Sequence, residues 1–346
     1  MNKFRNKRDR SFACFLSVFC ITSFPLLVTL SPILSLASEF IFMPEHPGTV
    51  SVIVENLTTF QKKLLTKEDA AAFKHNLERF RNLLANQKVF NPPRGVAVKG
   101  YLRFNGEVET AKNQPIPGYG FLQFYFYFLD NKSGKPARIC CTTDEIYVSV
   151  NDPDSGFDSF GVSGFPTKAF YEPKRVGELN GFPVYQAGNG DEIIVLSRST
   201  TPPWVPVTRE EYVNVWIKFW QKTADSTPQD TLSPDVVRRH KAALAGMSAS
   251  EREMQAHHLT TNPLEPTFAP VGSDAGLPLV RTNQAWFNSA LPRAAFQLVT
   301  LRFKYTGNLD HNKPGPTEYG DVSPLRVWEA LHTSNWAEIS GVLMDK

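Results

Sequence analysis

Between Phe60 and Ala85 the apolar positions return at helical spacing: Phe73, Leu77, Phe80 and Leu84 share one face, and Lys74, Glu78 and Arg81 lie off it. The spacing predicts a helix whose second half is capped by Thr66, with Asp69 three residues on. Asn91-Pro92-Pro93-Arg94-Gly95 is the expected stop. The period then changes to two. Val96, Val98, Leu102 and Phe104 alternate with Lys99, Tyr101 and Arg103, as on a half-buried strand. Phe121–Leu129 (FLQFYFYFL) has apolar groups at successive positions and predicts a central strand covered on both faces. Ile146, Val148 and Val150 restore the alternation after a turn at Asn131-Lys132-Ser133-Gly134. Val184–Gln186 and Ile193–Leu196 predict a hairpin around Gly188-Asn189-Gly190.

The second half opens on a stiff segment, Pro202-Pro203-Trp204-Val205-Pro206-Val207, followed by Thr208-Arg209-Glu210-Glu211. Thr208 and Glu211 have capping-box spacing, in which the hydroxyl accepts the N3 amide and the carboxylate reaches back. Tyr212, Val215, Trp216 and Phe219 are expected on the buried face of the helix that follows. Two shorter helices are predicted, one from Ser233-Pro234 to Gly246 and one starting at Ser248 with Glu251 at N3. Thr260–Thr282 reads as proline-punctuated loop, Ala294–Tyr305 as a strand, and Leu325–Leu343 as helical turns. A lone strand cannot satisfy its own backbone, so the strand near Ala294 must join the earlier sheet. The expectation is an α+β fold with a mostly antiparallel sheet packed by helices. It forms one intertwined domain over residues 38–346, with a helical and loop insertion at about 226–282.

The first 37 residues stand apart from this pattern. Lys3, Arg5, Lys7, Arg8 and Arg10 precede an uncharged apolar run from Ser11 to Ser38, which closes on the small residues of Ser35-Leu36-Ala37. This is the layout of a secretory signal peptide cut before Ser38. Left uncleaved, the run is long enough to serve as a membrane anchor. A lipid-attachment site is not expected, because Phe19 precedes Cys20 and Cys14 comes too early. The whole chain carries 37 basic and 34 acidic side chains; the leader takes five and one, leaving 32 and 33. A nearly neutral body lacks the clustered excess of Lys and Arg that binds phosphate backbones, so a nucleic-acid partner is not expected. Localisation is expected to be secreted or periplasmic.

Candidate chemistry is sparse. Outside the leader only Cys140 and Cys141 remain, which excludes a disulfide-dense scaffold and a four-thiolate zinc site. A vicinal disulfide between them would need a distorted peptide. Asp152, Asp154 and Asp158 are weak candidates for a hard cation. Gly156 and Ser163 stand where an EF-hand loop needs oxygen donors, so a solvated turn is the expected reading. His257 and His258 are adjacent rather than four apart, and the other histidines are scattered. Gly161-Val162-Ser163-Gly164-Phe165 misses the nucleophile elbow at Phe165, and no phosphate-cradling glycine loop occurs. No cofactor is implied. The aromatic run from Phe121 to Phe128 reads as sheet core, the alternative being a stacking platform for sugar rings or apolar ligands.

Two segments, PPWVPVTREEY (Pro202–Tyr212) and NQAWFNSALPRAAFQLVTL (Asn283–Leu301), resemble stretches of uncharacterised exported bacterial proteins. The resemblance implies bacterial export and a shared architecture, with no catalytic residues. The expected role is binding or structural, with a glycan or peptide as ligand. The competing expectation is a hydrolase whose carboxylates are brought together only by the fold.

Overall fold

The structure is a computed structural model, which describes residues 40–56, 65–105, 114–139, 145–162, 165–187, 190–227, 229–259, 264–269, 275–304, 309–310, 313–314 and 323–344. Cys140, Cys141, Ser163 and the leader lie outside the described residues.

Ten strands of the described residues form the main sheet. In chain order they are β1 (Phe40–Phe42), β2 (Val50–Val54), β3 (Val96–Phe104), β4 (Gly118–Asp130), β5 (Lys135–Ile139), β6 (Glu145–Val150), β8 (Lys174–Leu179), β9 (Phe182–Gln186), β10 (Glu192–Ser197) and β14 (Leu298–Lys304). The path runs β2-β3-β4-β6-β14-β10-β9-β8, with β1 and β5 also paired to β4. Among the described residues of this sheet only β2 and β3 run parallel; the other pairs are antiparallel. The strand near Ala294 therefore joins the earlier sheet as expected. It lies between β6 and β10, with Leu301 opposite both Val148 and Ile194.

One face of this sheet is the main core. The helix α1 (Lys67–Ala85) lays Phe73, Leu77, Phe80 and Leu84 on it, and the Thr66 hydroxyl accepts from the Asp69 amide at 3.0 Å. The helix ends at Asn86, before the proline pair expected to stop it. Opposite α1, even-numbered residues of β4 (Leu122, Phe124, Phe126, Phe128) meet Ile146 and Val148 of β6 and Phe303 of β14. Val327, Leu331, Trp336 and Ile339, from helices at Ser323–Thr333 and Trp336–Ile339, complete this layer. Burying each such large side chain contributes about 1.5–3 kcal/mol.

Among the described residues, the other face is covered over only part of its width. Phe157, Phe160, Phe170, Trp204 and Phe287 pack on Ile193, Val195 and Leu298 of β10 and β14. They belong to a second layer around a four-stranded sheet of β7 (Ala169–Tyr171), β11 (Trp204–Pro206), β12 (His257–His258) and β13 (Leu277–Thr282). Part of the stretch read as loop, Leu277–Thr282, is thus the strand that pairs with the other three.

Against this small sheet lies α3 (Arg209–Ser226), which follows the four-residue α2 (Pro153–Gly156) in chain order. Its buried face is Tyr212, Val213 and Trp216; Val215 is half-buried and Phe219 is exposed. The helix is therefore rotated about its own axis from the predicted orientation by roughly 60°, about half a residue step, with Tyr212 and Trp216 common to both faces. The helix α4 (Leu232–Gly246) is capped by Asp230, which accepts the Leu232 and Ser233 amides, rather than by Ser233. The short α5 (Ala249–Glu253) carries the full reciprocal capping box of Ser248 and Glu251.

Candidate ligand-binding face

Beyond the edge of the second layer, strands β3, β4 and β6 present a half-buried face of alternating aromatic and polar side chains. The long strand β4 is buried on alternate residues rather than on both faces: Leu122, Phe124, Phe126 and Phe128 point inward, and Phe121, Gln123, Tyr125 and Tyr127 are half-exposed. This corrects the expectation of a strand covered on each side. The reason is that α1 and the C-terminal helices cover one face, whereas among the described residues the second layer's apolar cluster packs on β10 and β14.

Pairing places the outward residues in rows. Phe121 sits opposite Tyr101 of β3 and Tyr147 of β6, and Tyr119 sits opposite Arg103 and Ser149. Ring centroids are 6.1 Å apart for Tyr101 and Tyr119, 5.9 Å for Tyr101 and Phe121, and 5.7 Å for Phe121 and Tyr147. These are ordinary contact distances for tilted aromatic pairs. Four rings from three strands thus form one continuous patch.

Charged groups frame it. The Arg103 guanidinium lies 5.0 Å from the Tyr101 ring and 5.7 Å from Tyr119, and pairs with Glu55 at 3.7 Å. Arg302, one strand over, stacks at 4.5 Å on Tyr147. It is ion-paired to Asp158 and lies 3.9 Å from Asp191. Stacked guanidiniums keep donors at their edges, which suits a polar ligand lying on the rings. Tyr147 donates its hydroxyl to Glu145, which also pairs with Lys304 at 3.7 Å. Tyr125 donates to Gln123 at 2.7 Å, under Lys99 at 5.3 Å from its ring. Burial, then the hydrogen bond to Glu145, pushes the Tyr147 phenol well above its ordinary value. Burial likewise raises Tyr119, with Tyr101 adding to the shift. Both phenols are therefore neutral hydrogen-bonding groups at ordinary pH.

At the second-layer end the patch drops into a depression of about 160 Å³ between Tyr119, Tyr147, Ser155, Asp158, Thr300 and Arg302. Gly156 makes this floor possible: a Cβ there would lie 2.5 Å from Thr300 Oγ1, so any side chain would require Thr300 or α2 to shift.

The three aspartates considered for a cation are each held by protein. Asp152 caps α2, accepting the Ser155 amide at 3.2 Å, the Ser155 hydroxyl at 2.7 Å and the Asn105 amide at 3.0 Å. Asp154 pairs with Lys168 at 2.9 Å, and Asp158 with Arg302. Among the described residues no group of three or more His, Cys, Asp or Glu is placed to hold a metal ion. His257 and His258 lie on strand β12, half-buried and buried respectively, and point to opposite sides.

Of the residues in this face, the sequence pointed only to Phe121, Tyr125 and Tyr127, within a block read mainly as core. The usable signal was the alternation within that block, since Gln123, Tyr125 and Tyr127, its polar members, all fall at odd positions. Tyr101, Tyr119, Tyr147 and the two arginines are brought beside them by strand pairing. No protein-family model, curated protein or solved structure matches the chain.

Proposed function

We propose that this is an exported carbohydrate-binding protein whose ligand lies across Tyr101, Tyr119, Phe121 and Tyr147. The observation that carries the reading is the continuous, half-exposed aromatic patch in the interior of a sheet, framed by stacked arginines. The apolar face of a sugar ring stacks on such rings, and its hydroxyls match the phenols, guanidinium edges and carboxylates around them. An extended peptide gains affinity from main-chain bonds to a sheet edge. Strands β3, β4 and β6 each have neighbours on both sides, so their backbone groups are already engaged. A glycan is therefore favoured over a peptide. The carboxylates of this face are each held by a hydroxyl or a cation, which suits binding better than acid–base chemistry.

Titration of the protein with soluble glucans, mannans, xylans and chitin oligosaccharides tests the reading. Binding to at least one class is expected, weakened about tenfold by Phe121→Ala or Tyr147→Ala, in line with the loss of an aromatic contact. No binding across the panel, or equal binding by both variants, overturns it. Export is tested separately: N-terminal sequencing of protein made with export machinery is expected to begin at Ser38, and membrane-bound material beginning at Met1 would establish an anchor instead.

A further inference from the structure

A second surface, on the α3–α4 hairpin, is unrelated to the aromatic face. The two helices pack side by side and leave a groove of about 560 Å³ lined by Ile217, Lys218, Gln221, Lys222, Asp225 and Lys241, among others. Cations here divide into two sets. The arginines of α4 are neutralised: Arg238 pairs with Asp235 at 2.5 Å, and Arg239 with Asp235 at 3.2 Å and Glu265 at 3.1 Å. Among the described residues Lys218, Lys222 and Lys241 have no carboxylate within ion-pair distance. The groove's one acid, Asp225, accepts instead from the Gln221 amide at 3.0 Å. Three ammonium groups thus share one hollow with a single carboxylate.

Apolar groups are exposed on the same two helices. Phe219, between the first two lysines in sequence, is 41% exposed and leans on Trp220 and Trp216, with ring centroids 5.1 and 5.7 Å away. Leu232, at the start of α4, is 48% exposed. A free anion would use the lysines alone and leave Phe219 and Leu232 without a role. A bilayer surface uses both sets: phosphate headgroups for the ammoniums and the acyl boundary for the aromatic and aliphatic groups. We infer that the α3–α4 hairpin docks on an anionic phospholipid surface, with headgroup phosphates in the lysine groove and Phe219 at the hydrocarbon boundary. The contact is interfacial, since no helix among the described residues is long and apolar enough to cross a membrane.

Hydrogen exchange of the full chain, read peptide by peptide, tests this with vesicles of phosphatidylglycerol and phosphatidylcholine. Vesicles of phosphatidylcholine alone and free inorganic pyrophosphate serve as the other arms. Expected is protection of residues 217–226 and 232–241 by the anionic vesicles only, with vesicle affinity at least tenfold weaker in a Lys218→Gln, Lys222→Gln, Lys241→Gln variant. The readout is local, so association through the apolar N-terminal run does not imitate it. Phe219→Ser should weaken binding while leaving its salt dependence intact. Protection by pyrophosphate without protection by vesicles overturns the bilayer assignment. So does equal vesicle binding by the triple variant, or the absence of protection in the hairpin with every arm.

Discussion

Asn151 accepts the backbone N–H of Gln297 on its Oδ1 at 2.9 Å, a bond that spans 146 positions of sequence. The same side chain accepts from Leu298 at 3.2 Å and donates to the carbonyls of Ile116 at 3.1 Å and Ala295 at 2.8 Å. It does so from a buried position at φ 53°. This one amide joins the end of β6 to the start of β14 beside the candidate face. Each buried group left without a partner costs about 1–3 kcal/mol. Asn151→Ala is expected to destabilise by at least 3 kcal/mol, roughly the loss of two or more such bonds. Asn151→Gly, which adopts positive φ without strain, should cost about 1 kcal/mol less than Ala. Urea midpoints that rank glycine below alanine would show that the left-handed backbone does not matter here.

The cap of α3 gives a second comparison. Thr208 accepts the Glu211 amide at 3.1 Å, but the Glu211 carboxylate turns to Arg281 of β13 at 2.5 Å instead of reaching back. Thr208→Ala should cost about 1 kcal/mol. Glu211→Gln removes a part-exposed ion pair and should cost between about 0 and 1 kcal/mol. Trp216→Ala, opening a cavity beneath Tyr212 and Phe165, should cost about 3–5 kcal/mol. Denaturant midpoints in any other order would mean that the buried face of this helix is not the one described.

Acid stability should carry a histidine signature. His240 and His258 are buried, and that burial lowers both below the ordinary value of 6.5. Above pH 6.5 both are neutral whether the chain is folded or not, and their burial carries no protonation cost. Below it the unfolded chain takes up protons that the folded chain does not, so stability falls as pH drops toward the lowered folded values. This loss is expected to begin near pH 6.5, before the half-buried Asp130, Asp230 and Asp235, which hydrogen bonds hold below their ordinary 3.8. Replacing both histidines by glutamine should flatten the profile between about pH 6.5 and 5. An unchanged slope in that double variant would assign the loss to other groups.

Calcium should leave the melting temperature where it is. Asp152, Asp154 and Asp158 are engaged by Ser155 and Asn105, by Lys168 and by Arg302 respectively. A cation site of about 10⁻⁵ M affinity would add about 2.7 kcal/mol at millimolar calcium, a hundredfold excess. A thermal scan with and without the ion resolves a difference of that size. An upward shift abolished by Asp152→Ala would make this turn a cation site after all.

How much of this was legible in the chain depends on the range of the interaction concerned. The Thr66 and Ser248 caps, the strand β3, the β9–β10 hairpin and the joining of the Ala294 strand to the sheet were all readable. Caps and hairpins are made within a few residues, and an unpaired strand cannot satisfy its own backbone. Even the two sides of β4 were written there, in the alternation of Phe and Leu with Gln and Tyr. What the sequence could not decide was which side would be covered, because that depends on how far the second layer, from residues 153–287, extends over the sheet. The rotation of α3 was decided the same way, by where its helix meets β13, and not by its own periodicity. The carboxylates of the Asp152 turn looked like one cluster because they are neighbours in sequence. Tertiary contacts with Asn105, Lys168 and Arg302 separated them, each carboxylate pairing with a different donor that the fold brings within reach. The candidate face itself, with Tyr101, Tyr147 and Arg302 drawn from strands up to 201 positions apart, exists only through strand order and register.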